Sequence, residues 1–401
     1  MNLSSGYPLW LVQDGLPYNY PALDEDIRTD VLIMGGGISG ALAAYHLANA
    51  GVEAIVVDAR TIGLGSTSAS TALLQYEIDT PLSELQHKVG LANAVEAYRL
   101  CDQSIDTLAA IAQKIGFKEF VFTSSLYYAA YKKDRSFLEK EFAIRKAHGF
   151  DVTFLGQQEM EKQYGFASEA AILSAQGAQT NAYGFAHALH QASIKKGVRV
   201  FDRTLLEKIE HKKDAVYITT NNGHKIRAKK LIYANGYEAT EYIKEKIVKL
   251  ESTYAVCSEQ GVADKTPFKN KSILWNTADP YLYLRTTADN RVLIGGRDEE
   301  FISVARREKL LPKKTRQLTA DFEKLYPEIS FKPEFSWCGV FGATKDGLPF
   351  MGPYQKLPHS LFALGFGGNG ITFSLIAAEI LTDIITGKKK TAPIFFSLER
   401  L

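Results

Sequence analysis

The sequence predicts an α/β fold whose domain-sized units are interleaved along the chain. Three observations carry that prediction. Residues 29–58 read as strand, glycine turn, helix, strand and acid, which is one βαβ unit with a parallel strand pair. The chain is 401 residues long, with 46% apolar and 23% charged residues. That length corresponds to roughly two to three domains, and that composition is the one soluble globular proteins use to bury a large core. Finally, no internal repeat, low-complexity tract or Pro/Ser-rich linker separates one part of the chain from the next.

Taken in order, residues 1–28 are turn-rich and aromatic, with Trp10, Tyr18 and Tyr20-Pro21. They suit either an extension draped over a domain or a disordered tail. Residues 29–34 (TDVLIM) form a short apolar strand. Residues 41–50 set Leu42, Tyr45, Leu47 and Ala48 at helical spacing, and Gly51 suits the C-cap. Ala54–Val57 is a second strand, ending at Asp58. Helical periodicity fills 81–116. Residues 120–131 are β-branched and aromatic, hence a strand, and 134–147 and 182–196 are helices with a glycine close behind. Asn221-Asn222-Gly223 centres a hairpin within 198–234. Residues 250–300 are strand-rich, 305–326 form a basic helix, and 335–352 are strand and turn. The chain then runs through a strand at 361–364, a glycine turn at 365–370 and a helix at 371–386.

Composition excludes several roles. The 47 basic and 45 acidic side chains leave a formal charge of +2, too balanced for a nucleic-acid binder. Cys101, Cys257 and Cys338 are far apart and form no CxxC pair, so neither a disulfide framework nor a zinc site is expected. A reducing, cytoplasmic location fits them. The first residues lack a basic region followed by an apolar run, so no signal peptide is expected. The longest uncharged stretch, 357–378, holds Pro358, His359 and four glycines, which argues against a membrane span and leaves peripheral attachment open. His187 and His190 are three apart on a helix without a third ligand in view, so surface histidines are expected there and no metal.

The chemistry concentrates at Gly35-x-Gly37-x-x-Gly40. The first glycine permits the tight turn, the second lets backbone approach a pyrophosphate, and the third lets helix pack on strand. The phosphates then meet the free N–H groups of the helix that begins near Ile38. Asp58, at the end of the second strand, is placed to accept hydrogen bonds from ribose hydroxyls. This unit leaves open whether the dinucleotide is FAD or NAD. A second Gly365-x-Gly367-x-x-Gly370 also follows a strand and opens a helix, but no further strand and acid follow it. It therefore suits the far end of the same ligand, where a helix N-terminus would stabilise negative charge on a flavin ring.

In the order of its motifs the chain resembles the D-amino-acid oxidase superfamily of FAD-dependent oxidoreductases, in the branch of glycine oxidase, sarcosine oxidase and gamma-glutamylputrescine oxidase. The opening turn and Asp58 are followed by Ile62-Gly63-Leu64-Gly65-Ser66-Thr67-Ser68 and Ala72-Leu73-Leu74, then the segment 219–236, the strands of 283–297, Trp337-Cys338-Gly339, Thr344-Lys345-Asp346-Gly347-Leu348-Pro349 and the turn 365–371. The resemblance implies a doubly wound, Rossmann-like FAD domain (1–115, 165–245 and 335–401). Interleaved with it would be a mixed-sheet substrate domain (116–164 and 246–334). It implies that Gly35, Gly37, Ile38, Ser39 and Gly40 meet the pyrophosphate, and Asp58, with Ala59 and Arg60 beside it, the ribose. Gly65, Ser66 and Thr67 would reach the phosphate and ribityl region. Ala72, Leu73 and Leu74 would pass the flavin ring and Leu206 the adenine. Ala234, Gly236, Gly339, Phe341, Phe366, Gly367, Gly368, Asn369, Gly370, Ile371 and Thr372 would complete the site.

Two departures bear on the substrate. Where some members carry the cysteine that bonds flavin covalently, this chain has Gly339, and Cys338 is one residue off on the opposite strand face; non-covalent FAD is expected. Where amino-acid oxidases place a carboxylate-binding arginine, this chain has Phe341, which favours an amine over a simple α-amino acid. Arg285 or Arg297 could supply a charge from elsewhere. Among Tyr127, Tyr128, Tyr254 and Tyr283, the last is the best candidate for the pocket, while core or sheet packing is the favoured reading for each. Tyr283, Phe341 and Arg285 are thus the candidate catalytic residues. The activity implied is oxidation of a C–N bond in a small amine or amino acid, with oxygen or a quinone-type carrier as acceptor. The alternatives are an FAD-linked dehydrogenase of another substrate, such as a polyol phosphate or a modified tRNA base, and a flavin-binding protein without turnover. An oligomer is possible.

Overall fold

The computed structural model describes residues 3–267, 271–301 and 303–400. Two mixed β-sheets organise them. The eight-stranded sheet runs Phe350–Pro353, Ser360–Leu364, Lys225–Tyr233, Ile27–Met34, Ala54–Val57, Arg199–Phe201, with the last five in parallel. Alternation of buried and exposed residues is absent from its centre: Ala54–Val57 is buried on both faces, as parallel strands covered on both sides must be. Helices Ile38–Asn49, Ala182–Ile194 and Gly370–Ile385 pack together over one face. The hairpin Leu206–His211/Val216–Thr220 extends the sheet from Lys225–Tyr233, and Val216 and Ile218 join a second core on the other face.

The ten-stranded sheet runs Ser4–Gly6, Pro333–Ala343, Lys249–Ser258, Val292–Glu300, Tyr283–Thr286, Ile273–Asn276, Phe120–Tyr128, Ala170–Thr180, Leu73–Leu74, with Val152–Gly156 beside Ala170–Thr180. Helix Val304–Leu325 presses Leu318 and Phe322 against Tyr254, Leu284 and Ile294 on one face. The opposite face looks toward the glycine turns of the first sheet.

The N-terminal segment is a draped extension. Ser4–Gly6 pairs with Pro333–Ala343 as an edge strand, and Trp10 is buried with its indole N–H on Ser70 O at 2.7 Å. The helical stretch 81–116 is two helices, Leu82–Val89 and Leu91–Ile115. They break at Gly90, whose φ of +83° a side chain would resist. Ala170–Thr180, Leu73–Leu74 and Pro333–Ala343 lie in stretches the sequence assigns to the FAD unit, yet they pair in the ten-stranded sheet. Chain segments thus cross between the sheets more often than the expected boundaries allow.

His187 and His190 correct the expectation of surface histidines. They are 1% and 0% exposed. His187 Nδ1 lies 3.0 Å from the Tyr20 hydroxyl, and His190 Nε2 lies 2.9 Å from Gly36 O, so the pair ties the extension and the first glycine turn to one helix. Burial depresses both from 6.5 to about 4. A histidine folded neutral stabilises fully above its unfolded pKa and loses that contribution as pH falls through the folded one. Thermal stability should therefore drop between about pH 6.5 and about pH 4. A His187→Gln/His190→Gln variant should show a flatter acid limb in melting curves; an unchanged slope would refute this origin.

All three cysteines are free and buried. Among the described residues one helix, Gly367–Ile385, is long and apolar enough to cross a membrane by length and composition, but 67% of its apolar window is buried within this fold.

Candidate active site

The two glycine turns face a single cavity of ≈ 460 Å³, in the size range of small-molecule and cofactor sites. At one end, strand Ile27–Met34 stops and the chain reverses through Gly35, whose φ is +107° and whose Cβ would lie 2.5 Å from Ala234 O. Gly40 packs so closely that a Cβ would overlap Gly35 O. Gly37 opens the helix and lines the cavity with Ile38 and Ser39. Ile38 N–H donates to Thr67 Oγ1 at 3.0 Å, which joins the glycine turn to the loop after the second strand. Ser39 Oγ lies 2.7 Å from Ser374 Oγ, so the first and last glycine-turn helices meet at the cavity wall.

Asp58 closes this end. Its Oδ2 accepts from Gly36 N–H at 2.7 Å and its Oδ1 from Arg60 N–H at 2.8 Å. Burial pushes its carboxyl up, and the two N–H bonds pull it back. A carboxylate has about four lone-pair sites, so it keeps acceptor capacity for ribose. Arg60 forks onto Glu238 at 3.0 and 3.1 Å. Ala59, Leu206, Ala234 and Gly236 complete the wall.

Along the middle, Gly65, Ser66, Thr67, Ala72 and Leu73 line the cavity. Ser66 Oγ reaches Val340 O at 3.2 Å, and Trp337 Nε1 reaches Ala69 O at 2.8 Å, which clamps this loop to strand Pro333–Ala343. Gly339 and Phe341 face the cavity from that strand, whereas Cys338 packs on the opposite face with Tyr254. The thiol is turned away from any flavin. At the far end stand Phe366, Gly367, Gly368, Gly370 and Ile371.

Four expected contacts lie behind the wall instead of on it. Gly40 supports Gly35, and Leu74 is buried in the core. Asn369 donates to Gln75 O at 3.0 Å and Glu77 O at 2.8 Å, and Thr372 bonds Asn369 O at 2.9 Å, so both shape the last turn from within.

Of the candidate catalytic residues, Tyr283 and Phe341 line the cavity together. Tyr283 OH is 3.4 Å from Thr253 Oγ1. Arg285 does not join them. It is 3% exposed, and its Nη1 donates to the carbonyls of Thr71, Ala72 and Thr180 at 3.0, 2.9 and 2.8 Å. A guanidinium buried among these backbone oxygens, and absent from the cavity lining, is a clamp between segments. Burial lowers it from 12.5 to about 10. Arg297 is likewise outside the cavity, held by Asp321 at 2.7 Å. Tyr127, Tyr128 and Tyr254 are core residues.

The sequence reading missed Tyr281, Asp79 and Asp298, all on the cavity wall. Tyr281 sits two residues before Tyr283, just ahead of the strand Tyr283–Thr286. Its hydroxyl donates to Asp79 Oδ1 at 3.3 Å, while Asp79 Oδ2 accepts from Gly368 N–H at 2.7 Å. Burial raises the Asp79 carboxyl. No group of three or more metal-ligating side chains occurs among the described residues.

A side-chain-free cradle, a carboxylate with spare lone pairs and a second glycine turn at the other end define a dinucleotide-binding α/β protein whose ligand spans both turns. The FAD dependent oxidoreductase (DAO) family model matches residues 30–384, and the chain belongs to that family. Its relatives are distant but of full length. It is 22% identical to the "Probable oxidoreductase OrdL" of Haemophilus influenzae, over 95% of this chain and 88% of that one. It is 22% identical to the gamma-glutamylputrescine oxidoreductase of Escherichia coli, over 94% and 88%. Among solved structures, glycine oxidase from Geobacillus kaustophilus superposes with a TM-score of 0.78 at 21% identity, covering 93% of this chain and 99% of that one. The protein is an FAD-dependent oxidoreductase, and the residues of this cavity fit non-covalent FAD.

Proposed function

We propose that this chain oxidises the C–N bond of a small amine, with oxygen or a quinone-type carrier as the final acceptor. FAD, when bound, would supply the two-electron sink for oxidation of the carbon beside nitrogen. The chain's residues bind and orient. Gly35, Gly37, Ile38, Ser39 and Asp58 would hold the adenosine and pyrophosphate half. Ala72, Leu73, Gly339 and, from the last turn, Phe366, Gly367, Gly368, Gly370 and Ile371 would hold the flavin half. The ten-stranded sheet forms the substrate side, where Tyr281, Tyr283 and Phe341 exclude water and fix the reacting carbon. No strong base is required if the amine binds uncharged. The location expected for the enzyme is the cytoplasm.

One observation carries the choice of an amine. The cavity wall around Phe341 and Tyr283 bears no arginine or lysine among the described residues; Arg60, at the adenosine end and committed to Glu238, is the one such side chain along the cavity. An α-carboxylate would find no fork to bind it. The name of one relative, gamma-glutamylputrescine oxidoreductase, also supports an amine, whereas the glycine oxidases support C–N oxidation alone.

The test is an anaerobic panel of primary amines, N-methyl amino acids and D-amino acids added to the yellow holoprotein, followed by air and a peroxide assay. Amines are expected to bleach the flavin bands. Bands that persist with every member of the panel in a folded, FAD-loaded protein would refute the proposal. Peroxide on admitting air separates oxygen from a carrier as acceptor.

A further inference from the structure

The charge of the substrate end is set by a strand irregularity. Val292–Glu300 pairs with Lys249–Ser258 so that Tyr254 lies opposite Gly296, and the ladder resumes with Ser252 opposite Glu299. Arg297 and Asp298 therefore face Thr253 alone, which is a β-bulge. Gly296 has a φ of +131°, and a Cβ there would lie 2.5 Å from Tyr281 O. Arg297 follows in the left-handed region at φ 57°, a conformation costly for a non-glycine residue and persisting only where the surroundings impose it.

One extra residue reverses the facing of those beyond it. Leu293 packs on the cavity side with Ala255 and Trp337, and at Gly295 the place of a Cβ is filled by the Tyr283 ring. Unbroken alternation would turn Arg297 to the cavity next. The bulge instead sends Arg297 to the helix Val304–Leu325, where Asp321 binds its guanidinium and its carbonyl accepts from Lys314 at 2.7 Å. Asp298 takes the cavity side. A cation is exchanged for an anion at the substrate wall.

Asp298 Oδ1 has no hydrogen-bond partner. The Tyr281 and Tyr283 rings beside it lie 6.0 Å apart, and Asp79, bonded to Tyr281, is near enough for its charge to act on Asp298. The structure thus brings two carboxylates and two tyrosine rings to a wall on which, among the described residues, no lysine or arginine stands.

We propose that Asp298 and Asp79 form a cation subsite, and that the substrate carries a second positive charge remote from the C–N bond that is oxidised, as a short diamine does. This rests on the amine-oxidase reading above and narrows it. A carboxylate substrate would meet two like charges, whereas an ammonium gains charge-assisted hydrogen bonds and the faces of the rings.

Burial, with the charges of Glu251 and Asp79, raises the Asp298 carboxyl to about 7, against the opposing effects of Thr253 and Lys314. Tyr281, Tyr283 and Cys338 also lie within its electrostatic reach. The carboxylate form that binds a cation is populated above that value, so cation affinity should rise with pH through about 7.

The experiment uses holoprotein and four probes. 1,4-Diaminobutane and n-butylamine are compared as substrates in anaerobic flavin bleaching, and tetramethylammonium and acetate as binding probes that shift the flavin bands. We expect the diamine to have a KM about tenfold or more below that of butylamine, the scale of one buried charge pair. Asp298→Asn should erase that difference, chiefly through KM for the diamine, and remove the pH dependence of tetramethylammonium binding, with FAD content and melting temperature kept. Equal KM values in the unsubstituted enzyme, or equal losses for both amines in Asp298→Asn, would overturn the subsite while leaving amine oxidation intact. Failure of every amine to bleach the flavin would overturn amine oxidation. The subsite would still stand if tetramethylammonium binds and Asp298→Asn abolishes it, and would fall if acetate binds as well or better.

Discussion

Gly37→Val should purify folded and colourless, with FAD below about a tenth of stoichiometric, a loss of about 1.3 kcal/mol of binding or more when the cofactor is supplied near its Kd. Gly37 has φ −72°, ordinary for valine, so the backbone itself does not forbid the change. A Cβ there would lie 2.8 Å from Thr67 Oγ1. The threonine must move, and with it goes the acceptor of the Ile38 N–H, a net loss of about 1 kcal/mol that a chain of this size tolerates. The valine methyls then stand where Gly37 lines the cavity, and backbone can no longer approach a pyrophosphate. Gly40→Val should behave differently. Its Cβ would overlap the backbone oxygen of Gly35, so strand and helix must separate, and insoluble protein is expected. Absorbance of the flavin bands against protein, together with far-ultraviolet circular dichroism, distinguishes the two variants. Stoichiometric FAD in Gly37→Val would remove the pyrophosphate from this turn.

That contrast shows which parts of the molecule are legible from local sequence. The βαβ unit is, because each of its glycines answers a backbone contact within a few residues or one strand away, and Ala54–Val57 has the bounds its apolar run implies. The second glycine turn is legible for the same reason. Ala170–Thr180 is not. Its sequence, AAILSAQGAQT, has one β-branched residue before its terminal threonine and no alternation; it is a strand because Phe120–Tyr128 and Val152–Gly156 pair along its two edges. Polar satisfaction is equally non-local. Arg285 looks available to a substrate until three carbonyls from distant segments are seen to occupy it. His187 and His190 look exposed until their partners arrive from Tyr20 and Gly36. Asp298 was hidden by parity, since plain alternation assigns the cavity to Arg297. The one signal was Gly295-Gly296 within a strand pattern, which marks a bulge or a close approach.

The other large effect is expected far from the cavity wall. Arg145 is 0% exposed, between Glu77 at 3.3 Å and Glu141 at 2.7 Å, both also 0% exposed. Glu141 accepts in addition from Leu82 N–H at 3.0 Å and Ser83 N–H at 2.8 Å, which starts the helix Leu82–Val89. Those bonds and the arginine hold its carboxyl below the usual range, whereas burial pushes the Glu77 carboxyl up. One arginine thus serves two buried acids. Arg145→Ala leaves both without a cation, and breaking a buried pair in this way costs roughly 3–5 kcal/mol. The consequence should reach the flavin end, because Asn369 donates to the carbonyl of Glu77 at 2.8 Å and so ties the last glycine turn to this segment. Arg145→Ala is therefore expected to melt earlier and to lose FAD more readily. Arg145→Met combined with Glu77→Gln and Glu141→Gln, which removes both uncompensated charges and keeps most of the volume, should recover much of the loss; if the triple variant is as unstable as Arg145→Ala, the deficit comes from packing against Tyr76, Tyr98 and Tyr127 and the electrostatic account fails.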